Sequence, residues 1–385
     1  MGTKPLIVVS LEGITPNALS CYGCSWNSTP SLDQVCAGGL IWDRLAATID
    51  QPKQVLQSWL TKGAHWADPY QNLGAISLVS DVPVDDLGDH CFDEITIVPV
   101  APVSEDQFPC DEAFETRFGQ LIAIAIERLK QPHALGAIWI HSNFLAQCWD
   151  APLTPKEESF ADDESLETFD AEDDSLGVGL LESEDQDWNP VSNENIPLNV
   201  IPPNFEIQAD DDPDALPQWM DRYASQVGLV DLLFGYLAEE AESLDARLVF
   251  TGISGFRLGQ GKAFGGSPSQ LRFADVHLPL VISGGGPLRI PHLTSGDQLP
   301  KILATLGNEN AEHYSCEQWA RSRSEAQSIR ITSNRSRAAV ISPEWFCVID
   351  SDGEENLFLK PDDIDDFNNV ARLRPDVIDS LTTLT

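Results

Sequence analysis

A single Cys-x-x-Cys occurs in this chain, Cys21-Tyr22-Gly23-Cys24. Two thiols at that spacing can hold zinc or run dithiol redox chemistry, but a structural zinc site needs a second Cys or His pair, and none follows. The cysteines read as incidental. Gly259-Gln260-Gly261-Lys262 resembles a phosphate loop only superficially: Ala263 stands where such a loop needs Ser or Thr. It reads as an ordinary loop. The third cluster is acidic, residues 157–214, with 20 Asp or Glu and no Lys or Arg. Carboxylates at that density suit calcium, yet the EF-hand spacing with its central Gly and closing Glu is missing. Like charges without internal counter-charge, and few apolar residues, predict a solvated, largely disordered insertion. Its natural partner would be a basic protein.

The elements that must position any site follow from hydrophobic pattern. Leu6–Val9, Ala137–Ile140, Arg247–Phe250 and Leu278–Ile282 are continuous apolar runs, the mark of strands covered on both sides. Between them, 113–130 and 216–241 repeat apolar residues three and four apart, which predicts amphipathic helices. The alternation predicts an α/β fold with a mainly parallel central sheet and helices on both faces, over residues 1–320. Four short strand-like runs from Ser328 to Lys360, then a helical pattern from Pro375, predict a small antiparallel sheet and helix over 321–385. Sites in open parallel sheets form where loops leave the carboxyl ends of the strands. Those positions are Ser10–Glu12, His141 onward and Gly252–Phe256.

With 23 Lys+Arg against 61 Asp+Glu, the net charge of −38 excludes nucleic acid and anionic membrane surfaces as partners. No apolar run is long enough to span a bilayer, and the opening Leu6–Val9 run is too short for a signal peptide. Eight cysteines without a small-domain framework fit a reduced, cytoplasmic protein.

Several patches, in order, resemble the sulfatases of the alkaline-phosphatase-like superfamily. Leu19-Ser20-Cys21-Tyr22-Gly23 and Thr29-Pro30-Ser31-Leu32-Asp33 are similar to a stretch that follows the first strand there, and Trp42-Asp43-Arg44 continues it. Tyr223–Val227 leading to Leu248–Thr251 resembles the later helix and strand, and Leu278–Ile282 resembles the strand written VPLII. Glu355–Asp363 and Asn368-Asn369-Val370 resemble the family's ending. The resemblance implies the same α/β fold and, in an intact member, a sulfuric-ester hydrolase with calcium or magnesium and a formylglycine made from Cys or Ser.

Those implied site residues are replaced here. The C/S-x-P-x-R motif aligns with Asp50-Gln51-Pro52-Lys53-Gln54, so Asp50 takes the nucleophile position and cannot become formylglycine. The metal-ligand positions fall on Ser10, Ile253 and Ser254, a set too poor in charge for a hard cation. His141 survives, while a second family histidine aligns with Ala146. The expectation is a sulfatase-like protein that has lost its nucleophile and its metal, and that serves as a binding or regulatory module with no cofactor. The alternative is an ester hydrolase of sulfuric or phosphoric esters with a rebuilt site around Asp50, drawing on Glu12, Lys53 and His141 and on calcium or magnesium. Without a cation such a site lacks the main stabilisation of the transferring group. As plain structural residues, Glu12 and Lys53 would be exposed loop charges and His141 a hydrogen-bonded histidine under the sheet end.

Overall fold

Unbroken apolar strands need cover on both faces, and that requirement shapes the centre of the molecule. The computed structural model describes residues 3–83, 89–104, 106–131, 134–153, 200–266, 269–307 and 328–383. Its strands run β1 (Leu6–Leu11), β2 (Leu40–Ala46), β3 (Ala75–Ser80), β4 (Glu94–Ile97), β5 (Leu135–Ser142), β6 (Phe205–Glu206), β7 (Arg247–Gly252) and β8 (Arg257–Leu258). They continue through β9 (Ala263–Gly265), β10 (His277–Ile282), β11 (Leu288–Ser295), β12 (Ile329–Arg330), β13 (Ser336–Ile341), β14 (Trp345–Asp350) and β15 (Glu355–Leu359). The helices of two turns or more are α1 (Pro30–Ala37), α2 (Pro52–Leu60), α3 (Arg117–Leu129), α4 (Ala215–Ser243), α5 (Leu299–Leu306) and α6 (Pro375–Thr382).

Eight strands form one sheet in the order β11-β2-β10-β7-β1-β5-β3-β4. The four runs expected from sequence are its consecutive middle, β10-β7-β1-β5. Only β10 runs against its neighbours; the remaining pairs are parallel. Successive side chains of β1 go to opposite faces. Leu6 and Val8 join Trp139 and Val249 beneath α2 and α5, while Ile7 and Val9 join Ile138, Ile140 and Phe250 beneath α3 and α4. Both faces are therefore core.

The short C-terminal strands form an antiparallel sheet in the order β12-β13-β14-β15. One face (Ile341, Phe346, Val348, Phe358) is continuous with the main core; the other (Val340, Cys347, Leu357) is covered by Ala371, Ile378 and Leu381 of the final helical segment. Of the acidic stretch, 157–199 lies outside the described residues. Beyond it, Val200 accepts a hydrogen bond from the Trp149 amide (2.7 Å), and Phe205 of β6 stacks on Phe264 of β9 at 5.8 Å.

Helix α3 starts later than its apolar pattern suggests. Thr116 is extended, and its Oγ1 accepts the Gly119 amide at 2.9 Å, a side-chain cap that ends the preceding turn. Phe114, assigned by pattern to the helix, lies before the cap and packs on Tyr236 at 5.3 Å. A buried helix start elsewhere is capped across the fold: Asp231 of α4 accepts the Ser31 and Leu32 amides of α1 at 3.0 and 2.8 Å.

The turn before α3 also predicts a sign reversal. Gly→Ala in a helix normally stabilises by about 0.5–1 kcal/mol. At Gly228 of α4 nothing lies within 4 Å of the added Cβ, so Gly228→Ala should raise the urea midpoint. At Gly119 the Cβ would meet the Ala113 carbonyl oxygen at 2.0 Å, so Gly119→Ala should lower it.

Candidate functional site

The site region forms where β1, β5 and β7 end together, with Ser10 level with His141 on one side and Thr251 on the other. Ser10 is fully buried, and its Oγ accepts the Trp139 indole N–H at 2.7 Å. Its Oγ also lies 3.0 Å from His141 Nδ1, and the Ser10 carbonyl lies 3.2 Å from the same ring nitrogen. Nε2 is buried, has no hydrogen-bond partner, and lies 3.7 Å from Glu12 Oε1. Glu12 is not the exposed loop charge expected for it: its side chain is 15% exposed and turned toward His141. Lys53 is exposed, in the first turn of α2.

The loop after β7 holds the loop after β1. The Leu11 carbonyl accepts the Ile253 amide at 2.9 Å, and Ser254 accepts the Gly13 amide through both its carbonyl (3.1 Å) and its Oγ (3.0 Å). Gly13 has φ of 77°, the left-handed turn this close crossing requires. Ile253 is buried in the apolar core. Each family metal position is thus apolar or already engaged in a hydrogen bond. Among the described residues no three His, Cys, Asp or Glu side chains gather as a metal-holding group. The donors present do not fit calcium or magnesium.

Asp50 is brought to the same end of the sheet, but the C-terminal residues close over it. Its side chain is 2% exposed; Oδ2 accepts Ser333 Oγ at 2.5 Å and Arg335 Nε at 2.9 Å. Its backbone amide donates to the Thr332 carbonyl at 3.1 Å. Arg335 reaches on to Asp275 (3.2 Å), whose carboxylate also takes two hydrogen bonds from Arg257 at 2.8 and 2.6 Å. Burial alone would push the Asp275 carboxyl up, but Arg257 and Arg335 outweigh it and hold it below its ordinary range. The Asp275 carbonyl in turn accepts the Gly255 amide at 3.0 Å, so the chain of charges ends on the loop that carries Ser254.

A second polar cluster joins the ends of β3 and β5. Asp81 accepts Ser142 Oγ at 2.7 Å and the Asn143 amide at 3.2 Å, and Arg117 lies 3.4 Å from its carboxylate. Sequence reading missed Asp81, Arg117, Asp275, Arg257 and Arg335. Arg257 and Asp275 are 18 positions apart and Arg335 pairs with a residue 285 positions away, separations that leave no local spacing to detect.

No family model matches the sequence, and no curated protein sequence matches it. Solved structures do. A protein solved with its substrate D-glucosamine-2-N,6-O-disulfate is 13% identical with a TM-score of 0.67, covering 99% of this chain and 96% of that one. The phosphonate monoester hydrolase of Agrobacterium radiobacter is 13% identical, TM-score 0.66, covering 99% and 95%. A putative sulfatase from Bacteroides thetaiotaomicron is 12% identical, TM-score 0.66, covering 99% and 91%. The chain therefore has the fold of the sulfatases and phosphonate monoester hydrolases, the alkaline-phosphatase-like α/β fold, across nearly its whole length.

Two outcomes follow from the charge chain and its neighbour. Arg335→Ala strands a buried carboxylate and should cost about 3 kcal/mol, and the Asp50→Ala/Arg335→Ala double variant should cost less than the sum by about 1–2 kcal/mol in urea unfolding. His277, two residues past Asp275, is fully buried, and burial pushes its pKa down from 6.5 to about 4. Between those values the unfolded chain binds a proton that the folded chain refuses, so stability falls as pH drops from 6.5 to 4. The loss attributable to His277 is about 3 kcal/mol, and the difference between wild type and His277→Gln should shrink by that amount over the window.

Proposed function

We propose that this chain keeps the sulfatase-like fold without sulfatase chemistry and works as a binding or regulatory protein. The observation that carries the reading is Asp50: the residue at the nucleophile position is buried and spent on Arg335 and Ser333. A reacting carboxylate must meet substrate, and this one meets a guanidinium. The ligand positions Ser10, Ile253 and Ser254 support the same reading, because they close the loops on one another instead of on a cation. A small anionic or sugar ligand is the natural occupant of the region above Glu12 and His141, and a basic protein the natural partner of the acidic 157–214 stretch.

The rebuilt hydrolase keeps one observation in its favour, the unpartnered His141 Nε2 facing Glu12, which is the geometry of an acid–base pair.

Metal analysis of purified protein, together with assays on an aryl sulfate, an aryl phosphate and a phosphonate monoester, separates the two. The proposal expects well under one calcium or magnesium per chain and no turnover above background. Turnover abolished by Asp50→Ala or Glu12→Gln, with the fold retained, contradicts it.

A further inference from the structure

A cavity of about 220 Å³ is walled by Tyr22, Phe273, His277, Pro291, Pro361 and Ile364. These walls are apolar for physical reasons, beside polar lining from Asn17, Asp43, Arg44 and Arg289. Tyr22 turns its hydroxyl into the sheet, donating to the Trp42 and Leu280 carbonyls at 3.0 and 3.2 Å, and leaves its ring to the cavity. His277 lies nearly parallel to Phe273 at 4.7 Å and donates Nε2–H to the Asp43 carbonyl at 2.8 Å; burial keeps it neutral at physiological pH. At the rim, Asp43 and Arg289 pair at 2.8 Å, both partly exposed.

One wall belongs to a loop that is held rigid from inside. The buried Lys360 ammonium donates to the carbonyls of Asp363 and Ile364 and to the Asp366 carboxylate. Asp363 accepts the Phe367 and Asn368 amides at 2.9 and 2.8 Å. Asp365 accepts the amide groups of Asn17 (2.8 Å) and Gln260 (2.9 Å), which tie the loop to the segments on either side. A loop fixed this well presents its side chains without an ordering cost on binding. What it presents is Ile364 at 40% exposure and Phe367 at 73%, next to exposed Asp362 and half-buried Asp363 and Asp365. Apolar side chains held out to water beside a ready cavity mark a contact surface.

We propose that this cavity and the Pro361–Phe367 loop form a docking site for a basic segment of a partner protein. One aliphatic or aromatic side chain of that segment enters the cavity against Phe273, His277 and Ile364. Its flanking Lys or Arg lie over Asp362 and Asp365, and Phe367 covers the anchor from outside. The charge argument selects a basic partner: the loop is acidic, and the chain as a whole carries 61 acids against 23 bases. Of the polar groups lining the cavity, the Tyr22 hydroxyl, the His277 Nε2–H and the Arg289 guanidinium are bonded within the protein, and Arg44 donates to the Pro343 and Ser342 carbonyls while its buried Nε has no partner. Neither Glu12 nor His141 lines the cavity, and the inference does not depend on whether those two residues act in catalysis.

Photo-crosslinking on the full chain tests it, using a short Lys/Arg-rich peptide with a central benzoylphenylalanine. Adducts should be saturable and map to Pro16–Tyr22, Phe273–His277 or Pro361–Phe367. An unlabelled peptide with central Phe should compete about tenfold better than its equally charged Ala analogue, the weight of one buried anchor. Ile364→Ser/Phe367→Ser, changes at exposed positions, should remove most of the labelling. Adducts falling on residues 157–199, equal competition by the Ala analogue, or unchanged labelling of the double variant would each overturn the proposal.

Discussion

A line of alternating charge, Asp50–Arg335–Asp275–Arg257, joins the strand ends to the C-terminal sheet, and the arrangement of the site depends on it. Charges taken out of water cost several kcal/mol each, and only close, complete pairing offsets that cost. The pairing is close here, from 2.6 to 3.2 Å along the chain. It fixes where the residue after β2 can go. It also fixes the loop after β7, because the same Asp275 holds the Gly255 amide through its carbonyl. The Asp50 carboxylate thus becomes a joint between two parts of the chain.

The consequence for the strand ends is that polar groups satisfy one another. Trp139, Ser10 and His141 form a buried relay that stops at Glu12, and Ser254 closes on Gly13. Hydrogen bonds of this kind hold the side chains at the strand ends in place. His141 Nε2, buried without a hydrogen-bond partner, lies 3.7 Å from the Glu12 carboxylate.

Much of the frame was legible in the sequence, and the reason is burial. β10, β7, β1 and β5 are covered on both faces, so each reads as an uninterrupted apolar run. β2 carries Asp43 and Arg44 within it, β3 is buried but broken by Ser77 and Ser80, and the edge strands β4 and β11 alternate or stay exposed, so none of the four stands out. The later start of α3 followed from one threonine cap that periodicity does not weigh. At the strand ends, Ser10, His141, Ile253, Ser254 and Asp50 stand out in the sequence because they follow strands or align with a motif. Their partners do not: Arg335, Asp275 and Asp81 act through contacts far apart in sequence. That is also why Glu12 looked like a loop charge until His141 was seen beside it.

The central claim is that the Asp50 carboxylate is a structural group closed to solvent. Carboxyl footprinting measures this directly, by carbodiimide coupling of an amine to the native protein and mass spectrometry of each site. The account predicts that Asp50 stays unmodified, like Asp275, while Asp352 and Glu354 react fully, and that Asp50 becomes reactive in Arg335→Ala. Asp50 labelling in the native protein as fast as those exposed carboxylates would mean that it faces an open cleft, and the account would be wrong.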